Sequence, residues 1–283
     1  MKALVTGRRG FIGTALQHRL EELGWEVVGL EHDDARVDIR DAELVRSVIA
    51  HAAPDVVFHL AGVSGPMLLT DDPGAVVDIN CVGTLNVIRA AADSGVARLI
   101  YGASVAAYAT EGVGEPLADS VYGLTKKFGE MLADFYRATT PMQISSVRIG
   151  STYGEGRETF NPLHEMVRQA VHGEPIRCNE NQREPIVWVR DCAQLLAALA
   201  TVEHLQPTYD AVTELPTHRQ IAETIAAQLG GETETFGGEE VWYPRGFRLL
   251  GDAAGSLIGQ PMRLPEAIIR IAGLVPEPSA ATK

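Results

Sequence analysis

The chain has 283 residues, a formal net charge of −13, 46% hydrophobic and 22% charged residues, which is the composition of a folded globular protein. The acidic balance opposes nonspecific binding to nucleic acid. Cys81, Cys178 and Cys192 lie far apart and give neither a disulfide framework nor a zinc spacing; with no signal peptide and no uninterrupted apolar run of about eighteen residues, the expectation is a soluble cytoplasmic protein without metal, membrane or nucleic-acid partner.

In chain order, strand and helix signals alternate over the first half. "KALVTG" is a β-rich run ending at Gly7, and "TALQHRLEELG" is an amphipathic helix stopped by Gly24. "EVVGLE" is a second strand, "AELVRSVIAHA" a helix and "PDVVFHLAG" a buried strand. "AVVDINCVGTLNVIRAAADSG" is a long helix, and "ARLIYGAS" a strand. "DSVYGLTKKFGEMLADFYRAT" is a helix with Leu124, Phe128, Met131, Leu132 and Phe135 as its apolar stripe, and "QISSVRIG" is the next strand. This alternation predicts an α/β fold with a doubly wound, Rossmann-like parallel sheet. After Gly154 the pattern loosens into "HEMVRQAVHG", the strand "PIVWV", "RDCAQLLAALATVE" and "HRQIAETIAAQLGG". Residues 1–155 are expected to form a dinucleotide-binding domain and 156–283 a smaller α+β substrate lobe, with 183–200 returning to the first domain.

Gly7, Gly10 and Gly13 stand between the first strand and first helix. The first permits a tight turn, the second lets backbone N–H groups approach a pyrophosphate, and the third lets helix pack close to strand. Glu31 ends the second strand, where a carboxylate accepts from ribose hydroxyls and repels a 2′-phosphate, favouring NAD; it also reads as a solvated acid. Arg8 and Arg9 pull the other way, toward NADP. Four lysines stand against twenty arginines, yet Lys126 and Lys127 are adjacent, four and five residues after Tyr122. At i and i+4 on a helix, Tyr122 and Lys126 share a face. An ammonium beside a phenol lowers its pKa from about 10 toward the range a general base needs. Ser104 sits at the carboxyl end of a strand, the edge that faces the ligand crevice in such sheets. Lys127 reads as a solvated charge and His59 as a structural residue.

Together the glycine loop, Ser104 and "YGLTK" resemble the extended short-chain dehydrogenase/reductase family, the NAD-dependent epimerase/dehydratase group. "VDIRD" is similar to the family segment in which Asp38 and Ile39 meet the adenine. "HLAG" resembles the strand end beside the cofactor, here Leu60, Ala61 and Gly62. "VRIGSTYGEG" resembles the stretch that passes the nicotinamide at Ile149, and "NQREPIVWVRD" the segment in which an arginine, here Arg183, meets a substrate diphosphate. The resemblance implies Arg9, Phe11 and Ile12 beside the cofactor, a catalytic set of Ser104, Tyr122 and Lys126, and substrate contacts at Ser64, Ser151, Arg157, Asn161 and Arg183. It also implies a homodimer through the helices matching 79–93 and 120–138. The implied function is NAD-linked hydride movement at a secondary alcohol or ketone of a sugar, with a nucleotide-sugar epimerase or ketoreductase leading. The alternatives are a dehydrogenase of a free sugar or sugar acid, and a nicotinamide-sensing protein without catalysis.

Overall fold

The computed structural model describes residues 1–32, 35–110, 120–237 and 255–276. Strand β1 (Lys2–Thr6) buries four of its five side chains and runs through the glycine turn into α1 (Phe11–Glu22). β2 (Glu26–Gly29) pairs parallel beside β1. A short antiparallel hairpin, β3 (Glu31–His32) with β4 (Ala35–Arg36), follows where an edge strand would extend the sheet. Next come α2 (Ala42–Ala52), capped by the Asp41 carboxylate, and the fully buried β5 (Val56–His59). α3 (Pro73–Val77), one π-helical turn (Asp78–Val82) and α4 (Gly83–Asp93) form a continuous helical run. That run is long and apolar enough, by length and composition, to cross a membrane; its inner side packs Val87, Ile88 and Ala91 into the core.

β6 (Arg98–Ser104) leads through a 3₁₀ turn (Val105–Thr110) toward α5 (Val121–Thr139), capped by Ser120, and β7 (Gln143–Ile149). The remaining elements are β8 (Ser151–Tyr153), α6 (Pro162–Val171), β9 (Ile176–Asn179), β10 (Ile186–Trp188), α7 (Val189–Leu199), β11 (Thr208–Ala211), α8 (His218–Leu229), β12 (Thr233–Phe236), the short α9 (Gly255–Ile258) and α10 (Leu264–Ala272).

Six strands form one parallel sheet in the order β11-β7-β6-β5-β1-β2. Strand alternation sends Ala3, Val5, Phe58 and Ile100 to the α1/α7 side and Leu4, Val57 and Leu99 to the α2/α4/α5 side. Both faces are therefore covered, as parallel sheets require. From β1 the chain steps one way to β2, then back across to β5, and the reversal opens a crevice at the strands' carboxyl ends. A third core, centred on Tyr153 and Trp188, holds the lobe of α6, α8, α10 and the short strand pairs together. The expected cut at residue 155 is not a single crossing. α7 packs against α1 below the main sheet, and β11 extends that sheet beside β7, so a longer stretch than 183–200 lies on the first part.

Candidate active site

The crevice at the carboxyl ends of β1, β5, β6 and β7 has a volume of about 1470 Å³. The glycine turn forms one wall. Gly7 has φ +70°, and a Cβ there would come within 2.9 Å of the Ala61 nitrogen; a Cβ on Gly13 would lie 2.1 Å from the Gly7 carbonyl oxygen. Gly7 thus makes the turn and Gly13 the close helix approach, which leaves Arg9, Gly10, Phe11 and Ile12 facing the crevice. Leu60, Ala61 and Gly62 line the adjoining wall. They are set by Thr6, whose Oγ1 accepts from the Leu60 and Ala61 N–H groups at 3.1 and 3.0 Å. His59, fully buried, bridges Thr6 Oγ1 (2.8 Å) to Thr84 Oγ1 (3.0 Å) and so ties β1 and β5 to α4. Its role is structural.

Ser104, Tyr122 and Lys126 meet in this crevice. Gly129 lets α5 lie close over β6, and Gly102 lets β6 lie close to Leu60, just past β5. A Cβ on Gly129 would fall 2.1 Å from the Tyr101 hydroxyl, and one on Gly102 would fall 2.9 Å from Leu60 Cδ2. At that separation the Lys126 ammonium, buried, donates to the Gly102 carbonyl at 2.9 Å and lies 5.8 Å from the centre of the Tyr122 ring. Burial holds Lys126 down to about 8. The expected depression of the Tyr122 phenol is corrected here: burial raises it above its ordinary value, with the Ser104 hydrogen bond opposing. Lys127 is also not simply solvated, for it pairs with Glu130 at 3.4 Å. Glu130 in turn grips Arg148 through two bonds of 2.7 and 2.8 Å, a buried pair that fixes α5 to β7.

The third wall starts at Ile149, which registers with Ser104 across β6 and β7. Ser64, Ser151, Asn161 and Arg157 all line the crevice. Asn161 donates to Ser151 Oγ at 3.1 Å and caps α6. Arg157 stacks over Phe11 with its guanidinium carbon 5.7 Å from the ring centre, and donates to the carbonyls of Thr152, Thr159 and Phe160.

Two expected contacts, Asp38 and Arg183, are not brought to the crevice in this way. Asp38 is half-exposed and held by Arg40 through bonds of 2.6 and 3.0 Å, which lower its carboxyl below the ordinary value; its neighbour Ile39 does line the crevice. Arg183 is exposed and outside the lining, whereas Gln182 and Glu184 on either side face in. The side chain of Glu31 lies outside the described residues. Glu184 and its buried partner His218 were not singled out by sequence, where "NQREP" gives no period long enough to assign faces.

Solved structures share this architecture. The UDP-glucose 4-epimerase of Thermus thermophilus, in complex with NAD, superposes with a TM-score of 0.79 at 22% identity, over 97% of this chain and all of that one. By sequence, the UDP-glucose 4-epimerase of Mycolicibacterium smegmatis is 32% identical over 62% of this chain, and the match spans 59% of that protein. The UDP-glucuronate 4-epimerase of Thermodesulfobacterium geofontis is 25% identical over 72% of this chain and 71% of its own length. The family model for NAD dependent epimerases and dehydratases matches residues 3–211, which takes in the whole parallel sheet, and the chain belongs to that family.

Proposed function

We propose that this protein is an NAD-dependent epimerase acting at a secondary alcohol of a nucleotide-linked sugar. The observation that carries the proposal is the meeting of Ser104, Tyr122 and Lys126 in one crevice with the glycine turn. The crevice is larger than the roughly 300–1,000 Å³ of an ordinary small-molecule pocket, so a dinucleotide and a sugar fit together. The glycine wall, free of side chains at Gly10 and facing the N-terminus of α1, suits a pyrophosphate. When bound, NAD supplies the acceptor and donor of hydride. Tyr122 takes and returns the hydroxyl proton, and Ser104 hydrogen-bonds the same substrate oxygen as its charge develops. Lys126 spends one N–H on Gly102 and keeps two for the cofactor ribose and the phenol side. Tyr122 starts as a neutral phenol; the Ser104 bond favours its anion, and the ammonium 5.8 Å from the ring centre adds a charge of the right sign.

Retention of the sugar between the two hydride steps separates an epimerase from a dehydrogenase. The test is to supply the NAD-loaded protein with UDP-glucose, follow formation of the epimer by NMR, and watch 340 nm. Epimer without net NADH is expected. Tyr122→Phe should slow it by about 10² while NAD titration stays unchanged, since proton transfer alone is lost. The competing account, a dehydrogenase of a free sugar or sugar acid, draws on the outward Arg183. Net NADH from a free sugar, with no UDP binding in calorimetry, would replace the first reading by the second. As to assembly, we propose a homodimer formed through the outer face of α5.

A further inference from the structure

The wall that holds Ser151 continues into residues 182–185. Pro185 accepts from the Ser151 N–H at 2.7 Å, and Gly150 leaves no room for a Cβ against the Pro185 carbonyl, 2.4 Å away. Ile149, one residue earlier, registers with Ser104. The acidic side chain of Glu184 is thus on the same wall as the proton-transfer end of the crevice. Its orientation follows from backbone pairing. Arg183 bridges Thr217 antiparallel, flanked by Glu184 N–H to Pro216 carbonyl (2.9 Å) and His218 N–H to Gln182 carbonyl (2.8 Å). Alternation along such a pair sends 182 and 184 to one face and 183 to the other. The inward place next to the arginine is therefore taken by a carboxylate.

Glu184 is about 10% exposed at its side chain, and its Oε2 lies 3.0 Å from Nε2 of His218, itself buried. A carboxylate offers about four acceptor sites, of which His218 occupies one. The cation that shares the crevice and feels the charge of Glu184 is Arg157, whose guanidinium donates to three backbone carbonyls and is oriented by them. Sugar hydroxyls can donate to a carboxylate held like this, whereas a second carboxylate beside it meets like charge in a poorly solvated place.

Building on the nucleotide-sugar reading, we infer that Glu184 is a specificity-determining residue that accepts from hydroxyls of a neutral sugar and excludes a uronic acid. Of the two substrate types named among its relatives, this chain takes the uncharged one. The test compares kcat/KM for UDP-glucose and UDP-glucuronate in the wild-type and Glu184→Gln proteins, both NAD-loaded. Wild type should favour UDP-glucose by at least about tenfold, and Glu184→Gln should shrink that ratio about tenfold, chiefly through a lower KM for UDP-glucuronate. Glu184→Asp, which keeps the charge, should retain the preference even where loss of the His218 contact lowers stability. A purely structural Glu184 would lower both substrates' kcat/KM together and leave the ratio unmoved, and that result overturns the inference, as does a wild type that prefers UDP-glucuronate. Calorimetry with UDP alone reports separately on the nucleotide reading. If UDP does not bind, that reading fails, and the same ratio measured with free hexose and hexuronate as NAD substrates decides the role of Glu184.

Discussion

Lys126 and Lys127 are neighbours in sequence with opposite surroundings, and the difference accounts for the use of lysine in a chain rich in arginine. From α5, Lys126 reaches the Gly102 carbonyl with a compact ammonium, where an arginine would bring a planar fork. Lys127 instead adds its charge to the Glu130–Arg148 pair. A second buried residue, His59, gives the residue scale its pH prediction. Because Thr6 Oγ1 already accepts from two N–H groups, its own proton points to Nδ1 of His59, which leaves Nε2–H to donate to Thr84. The ring is neutral, and burial followed by the charge of Lys126 pushes its pKa down to about 3. The unfolded chain binds a proton at this ring below about 6.5 and the folded chain does not. Stability from this residue is therefore complete above pH 6.5 and is lost as pH falls toward 3. Between pH 7 and 5 the unfolding free energy should drop by about 2 kcal/mol on this account. Urea titrations at the two pH values should show a smaller drop in His59→Gln, and parallel curves for the two proteins would refute the assignment.

At the scale of elements, α5 shows what periodicity can and cannot tell. The stripe Leu124, Phe128, Met131, Leu132 and Phe135 marks a helix correctly, yet the structure turns all of it but Leu132 outward, while the sheet-facing side carries Gly123, Thr125, Lys126, Gly129, Glu130 and Ala133. A helix that must present a lysine and an ion pair to the sheet, at glycine-limited distance, cannot also present its large apolar residues there. The glycine turn and the Tyr122–Lys126 spacing were legible because local geometry decides them. The face of Arg183 was not, since it depends on pairing with Thr217, and β11 was missed because its four residues become a strand only through β7. The close approach itself can be tested. Gly129→Ala puts a methyl group against the Tyr101 hydroxyl, 2.1 Å away. Overpacking of this kind costs about 1–3 kcal/mol, of which better helix propensity returns up to about 1. Denaturation should show a net loss, with turnover falling as α5 carries Tyr122 and Lys126 away from β6. Adding Tyr101→Phe should recover part of both, and a double mutant no better than Gly129→Ala would mean that the hydroxyl is not what sets the distance.

For the whole molecule, the question left by α5 is what its outer face meets. Val121, Leu124, Phe128, Met131 and Phe135 are 38–62% exposed, at successive spacings of three, four, three and four residues. That is the repeat of a helix seam, in which apolar side chains of two helices interlock. Val77 and Val82, 42% and 43% exposed on the helical run packed beside α5, belong to the same side of the molecule. An apolar surface this continuous is rarely left to water. Charge favours a second copy over an acidic partner elsewhere: the chain carries −13 overall, whereas large apolar side chains set this seam, so two copies can meet here with little charge facing charge. A two-fold axis makes such a patch complementary to itself and closes the assembly at two. The buried face of α5 carries Lys126, so pairing of the outer faces would also brace the helix that positions the proton-transfer residues. Sedimentation velocity should give twice the 30.4 kDa chain mass at micromolar concentration. Met131→Glu with Phe135→Glu should give a folded monomer with reduced turnover. A wild-type protein that sediments as a monomer at tens of micromolar, or a double variant that remains a dimer, would remove α5 from the interface.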